Sequence, residues 1–225
     1  MTLVLVAHGT RDPAGNLIIR DIAEAVRRRL PGVDVRTAFV DVRSPNVTEA
    51  LASVTGPAVV IPAFLAAGYH VRIDIPAQIL ASGHPDVTMS DLLGVDLVPA
   101  AHQRLVEAGW GGEPVIFAAA GSSDPHALAD VRRAARLLAA RTSTEVRLGY
   151  VATAKPRVAD LLTRNSFVAS WLLAPGVFHR QLTDLSPRVS APIGPHEHVV
   201  DLVVDRYRSS KSPGGPVSGR AASQR

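Results

Sequence analysis

Three polar residues in the first half of the chain, His8, Asp41 and His70, are of the types that metal handling and proton transfer need. A neutral imidazole binds divalent first-row metals and accepts protons near neutral pH, and a nearby carboxylate can orient it or take up a proton itself. The chain has no cysteine. Disulfides, thiolate metal cages and a cysteine nucleophile are thereby excluded, and any metal falls to His, Asp or Glu.

A repeat within the chain separates these residues from their scaffold. Leu3-Val4-Leu5-Val6-Ala7-His8-Gly9-Thr10-Arg11-Asp12-Pro13 recurs 112 residues later as Val115-Ile116-Phe117-Ala118-Ala119-Ala120-Gly121-Ser122-Ser123-Asp124-Pro125. Phe39 to Pro45 is echoed by Tyr150 to Pro156, and Gly68-Tyr69-His70 by Gly176-Val177-Phe178. Ala120, Ala152 and Phe178 thus stand opposite His8, Asp41 and His70. His179 is one residue out of register. Residues that a turn needs should recur in both copies, and residues present in one copy are candidates for function. Gly9, Asp12 and Pro13 fall in the first class, His8 in the second.

The elements that must position these groups alternate Val- and Ile-rich apolar runs with amphipathic stretches, the pattern of β-α units around a mainly parallel sheet. The first half predicts strands near 2–7, 34–40, 58–62 and 87–90, and helices near 15–30, 46–54, 75–82 and 97–108. The second predicts strands near 114–119, 145–150, 167–172 and 189–192, and helices near 126–141, 156–164 and 197–208. The fold expected is α/β: tandem domains at 1–110 and 111–208 related by a pseudo-two-fold, then a disordered tail at 209–225. Ligands of open parallel sheets sit beyond the carboxyl ends of the strands. His8, Asp41 and His70 would all face that crevice. Asp74, before Pro76, is placed to cap the next helix.

The turn after the first strand matches neither a dinucleotide fingerprint nor a phosphate-binding P-loop. His84, His102 and His126 read as surface or capping residues; His196 and His198 flank Glu197 but lie near the last helix, a poor place for ligation. The formal charge is +4, yet Lys211, Arg220 and Arg225 lie in the acid-free tail, which leaves +1 for the rest. With 4% aromatic residues, the chain offers no basic stripe with stacking platforms for nucleic acid. No run spans a bilayer and no signal-peptide pattern follows Met1, so a cytoplasmic location is expected.

The His8-Gly9-Thr10-Arg11-Asp12-Pro13 turn, Asn16, the Gly68-Tyr69-His70 loop and the Asp74-Ile75-Pro76 helix start together resemble the CbiX/SirB sirohydrochlorin chelatases, class II enzymes of tetrapyrrole metallation. The tandem arrangement resembles the long form of that family, with two chelatase-like domains in one chain. The resemblance implies ATP-independent insertion of Fe²⁺ or Co²⁺ into sirohydrochlorin, on the way to siroheme or cobalamin. It implies His8 and His70 as metal ligands, proton acceptors or both, with Asp41, where the family often has Glu, orienting or accepting a proton. Arg11, Arg43 and Arg72 lie on the same loops and suit the substrate's acetate and propionate groups. Two imidazoles with water filling the remaining positions can release an ion. No permanent cofactor is expected, the metal being substrate, and the fused halves should make a monomer.

Two other readings use the same residues. A histidine phosphatase attacks phosphate with a strand-end histidine preceded by arginine, but Ala7 precedes His8 here. A tetrapyrrole or metal carrier would use the same pocket without turnover.

Overall fold

A computed structural model describes residues 1–210. Two parallel sheets form. In the first, β1 (Thr2–Ala7) lies between β2 (Asp34–Phe39) and β3 (Ala58–Pro62), and β4 (Val87–Met89) extends the edge beside β3. In the second, β5 (Val115–Ala119) lies between β6 (Val146–Tyr150) and β7 (Phe167–Trp171). The helices are α1 (Pro13–Arg29), α2 (Val47–Ala52), α3 (Ile75–Ala81), α4 (Val98–Glu107), α5 (Pro125–Thr142), α6 (Val158–Leu161), α7 (Val177–Leu185) and α8 (Glu197–Ser209). A π-helical turn (His70–Asp74) leads into α3, and a 3-10 turn (Gly94–Leu97) leads into α4. The expected tandem α/β duplication is the architecture observed.

Strand periodicity builds the core. Leu3, Leu5 and Ala7 of β1 and Val115, Phe117 and Ala119 of β5 face one central cluster shared by the halves. Val4 and Val6, like Ile116 and Ala118, face separate outer clusters. Every residue of β1 and β5 is buried, as expected of strands covered on both faces.

The packing crosses the link at residues 110–113. α4 rests on β7 and α5, and α8 rests on α1 and β3. Each half therefore ends in a helix that covers the other half. Arg104 of α4 donates to the Ile193 carbonyl, and Arg29 pairs with Asp201 of α8 at 2.6 Å. Tyr207, fully buried on α8, tests this exchange. Tyr207→Ala should cost about 3–5 kcal/mol, the range for emptying an aromatic core position, measured by urea unfolding. A cost below about 1 kcal/mol would show that α8 is not part of the core.

Three expectations change. Residues 189–192 form no strand: Val189 makes a single bridge to Val168, and the Ser170 N–H bonds the Ser190 hydroxyl in place of a carbonyl, so the ladder stops. α7 was not expected, although Phe178, Leu182 and Leu185 carry helical spacing. Ser209 belongs to α8, and the tail expected to be disordered otherwise lies, from 211 on, outside the described residues.

Candidate active site

The turn carrying His8 is built the same way in both halves. Gly9 and Gly121 have φ of +90° and +97°, and a Cβ on either would fall 2.1 or 2.0 Å from the carbonyl oxygen of Asp41 or Ala152. Only glycine allows that approach. Asp12 and Asp124 cap α1 and α5, each accepting from the backbone N–H two residues on, with proline next in line. Val42 and Thr153 hold φ of 54° and 56°, a costly conformation for β-branched residues. Since this strain recurs in both halves, it belongs to the scaffold and not to the chemistry.

The histidines differ from that scaffold. His8 and His70 meet edge to face with ring centroids 4.5 Å apart. The Nδ1 of His8 lies 3.0 Å from the Gly9 carbonyl, which can only accept, so Nδ1 carries the proton and Nε2 is left as a base or ligand. The Nδ1 of His70 lies 2.6 Å from Oδ2 of Asp74, an arrangement that likewise presents Nε2. The π-helical turn brings His70 and Asp74 together. Asp74 is therefore not the helix cap expected from sequence: its backbone is already helical, and its side chain makes no capping bond. Asp41 is held beside His8 by its backbone N–H to the His8 carbonyl, at 3.0 Å. Its Oδ1 accepts from the Val42 N–H at 2.7 Å.

His8 stands on the wall between two lobes of a cleft that lies between the halves. The first lobe, of about 540 Å³, joins the His70 loop to the second half's turn at Ala120 to Ser123. The second, of about 440 Å³, joins the His8 turn to the segment from Leu172 to His179, which ends in the first turn of α7. The duplication relates the lobes: Ala7, His8, Gly15, Asn16 and Ile19 in one correspond to Ala119, Ala120, Ala127, Leu128 and Val131 in the other. Ala120 and Phe178 both line the lobe that holds His8 and His70. No carboxylate, lysine or arginine lines either lobe. Two imidazoles thus face an apolar wall supplied by the other half.

A family model for CbiX matches residues 2–108 and again 114–210. The chain belongs to the CbiX family. Among CbiX relatives, the sirohydrochlorin cobaltochelatase of Methanococcoides burtonii is 32% identical over 78 residues, covering 33% of this chain and 60% of that protein. The sirohydrochlorin ferrochelatase of Bacillus subtilis is 24% identical across 92% of this chain and 91% of its own length. The fold matches that of SirB from Bacillus subtilis with Fe³⁺, with a TM-score of 0.78 at 22% identity over 93% of this chain and 94% of that one.

In this CbiX chain the arginines read from sequence lie outside the lobe linings. Arg43 donates to the carbonyls of Thr10 and Arg11, shaping the turn, and the Arg11 residue is exposed. Arg72 crosses to the second half and pairs with Asp124 at 2.7 Å. Sequence reasoning missed the reciprocal pair, Arg180 with Asp12 at 2.6 Å, although Arg180 holds the register of Arg72. The two pairs clamp each loop to the opposite turn. Arg180 and then the Ala14 N–H hold the Asp12 carboxyl below its ordinary value, and Arg72 and then the His126 N–H do the same for Asp124. Folded values below unfolded ones mean stability present above the ordinary carboxylate range and lost as pH falls through the lowered values. Thermal melts should separate wild type from an Arg72→Ala/Arg180→Ala variant near neutrality, with the gap closing in acid. A gap that persists at low pH would contradict the assignment.

His196 is the buried cap of α8, its Nδ1 accepting from the His198 N–H. Burial lowers its pKa, as suits a structural imidazole. No group of three potential ligands occurs among the described residues.

Proposed function

We propose that the chain is an ATP-independent sirohydrochlorin chelatase that inserts Fe²⁺ or Co²⁺ into the macrocycle in a cytoplasmic route to siroheme or cobalamin, acting as a monomer. The observation that carries this reading is the His8–His70 pair, 4.5 Å apart with both Nε2 atoms available, on a cleft otherwise free of charged side chains. The names of the relatives, ferrochelatase and cobaltochelatase, support it. The chain covers 60% of the length of the first archaeal relatives, and 91% of the Bacillus subtilis protein. No helix among the described residues is long and apolar enough to cross a membrane.

Insertion replaces two pyrrole N–H protons by one divalent ion, so the site must deliver a cation and take up two protons. Two neutral imidazoles suit both tasks. They hold Fe²⁺ or Co²⁺ through few protein bonds, with the rest of the coordination shell left to water that the ring nitrogens can replace. His8 and His70 serve as ligands and bases, Asp74 fixes the ring of His70, and Asp41, exposed and outside both lobe linings, passes protons on from the His8 side to water. Of the three arginines that suit the substrate's carboxylates, Arg11 is exposed on the His8 turn, whereas Arg43 donates to the carbonyls of Thr10 and Arg11 and Arg72 is paired with Asp124. The lobes carry no arginine to bind a phosphoryl group, which speaks against the phosphatase reading.

The test is metallation without nucleotide, followed anaerobically by the absorption of metal-free sirohydrochlorin. Folded protein should exceed the spontaneous rate with Fe²⁺ or Co²⁺. The uncatalysed rate with both metals would overturn the reading.

A further inference from the structure

Five residues line both lobes: His8, Ala63, Leu172, Leu173 and Phe178. They form the neck where the lobes meet, and one of them, Phe178, leaves 40% of its surface exposed, an unusual place for a large apolar ring. Sirohydrochlorin is roughly twice the size of the drug-sized ligands that cavities of about 300–1,000 Å³ enclose, so lobes of about 540 and 440 Å³ do not hold it singly. A macrocycle spanning both lobes has its centre in this neck, between His8 and Ala63 of the first half and Leu172, Leu173 and Phe178 of the second.

We infer that Phe178 is the platform on which the tetrapyrrole stacks, positioning its centre under the imidazoles of His8 and His70. The inference rests on the chelatase reading for the identity of the ligand. Phe178 and His70 occupy equivalent registers of the two copies, and each half contributes one of them to the lining of the same lobe. A phenyl ring cannot ligate a metal, so cations and protons cross only the imidazole-facing side of the macrocycle. The other face meets a phenyl ring, Leu172 and Leu173, whose apolar surfaces suit a flat π-system. The loss of histidine from the second copy therefore has a use: it gives the substrate a bound face and a reacting face.

The probe is metal-free sirohydrochlorin, titrated anaerobically into the full chain without metal. Its absorption shift on binding reports transfer of the macrocycle from water into the site, and the difference between variants at position 178 reports the ring's share. Phe178→Ala should weaken binding about tenfold or more, as loss of a stacking ring does for a planar base, diminish the shift, and raise KM for the macrocycle more than it lowers kcat. Phe178→Trp should keep both affinity and shift. Because the ring is half-exposed, melting curves should stay near that of wild type, and Phe178→Trp carries the test if Phe178→Ala does not fold. Wild-type affinity and shift in Phe178→Ala, or a loss in Phe178→Trp equal to that of Phe178→Ala, would overturn the platform. Wild type that binds the macrocycle without metallating it would sink the chelatase reading and leave the platform standing. Wild type that metallates while Phe178→Ala binds unchanged would do the reverse.

Discussion

His8→Ala and His70→Ala should each lower the catalysed rate of metallation by about 10²–10⁴-fold, the range for removal of a positioned acid-base group, and leave the fold intact. His8 is exposed to the cleft and His70 is partly buried at its wall, so neither truncation opens a core cavity. The two rings share one place, 4.5 Å apart, so their losses should be far from additive, and the double variant should be little worse than either single one. The second half supplies the control. His179 places Nε2 3.2 Å from the Ser190 carbonyl and lines the other lobe, and His179→Ala should stay close to wild type. Comparable losses from His179→Ala and His8→Ala would refute the division of labour between the halves.

Asp74→Asn should reduce Co²⁺ affinity and metallation by about 10–100-fold, the usual effect of removing the carboxylate behind a ligating imidazole. The amide can offer the His70 ring either a donor or an acceptor, so the tautomer that presents Nε2 is no longer imposed. Asp74 makes no side-chain capping bond in the folded chain, so melting temperature should change little. Asp74→Glu, which keeps the charge, should recover part of the activity. If Asp74→Asn matches wild type while Asp41→Asn is inactive, the acid of the site is Asp41 and the 2.6 Å contact between His70 and Asp74 is incidental.

The sheets were legible because β1, β3, β5 and β7 are short apolar runs bounded by turn residues, and their burial on both faces removes the ambiguity that an exposed face would bring. The histidines were legible because the repeat shows which polar residues the turn can do without. Asp74 was misread for a local reason. An acid just before Ile75-Pro76 looks like a cap, and its four-residue spacing from His70 becomes a signal only once the helical turn is known to begin at His70. Arg72 was read towards substrate because its partner, Asp124, is 52 positions away and belongs to the other copy. The exchange of α4 and α8 between halves was hidden for the same reason: an amphipathic helix shows which face it buries, not which sheet covers it. The register of Arg180 with Arg72 held the one overlooked clue, since a paired ion bridge across a duplication needs both members.

One chain, with one pair of imidazoles, should turn over many macrocycles. The direct test is anaerobic metallation with the chain far below the concentration of sirohydrochlorin, without nucleotide and with excess Fe²⁺ or Co²⁺. Many equivalents should be metallated per chain, faster than the spontaneous reaction, by a protein whose equilibrium titration shows one macrocycle bound per chain. Conversion that stops at one equivalent per chain would identify a carrier, and two equivalent sites per chain would contradict the silent second half.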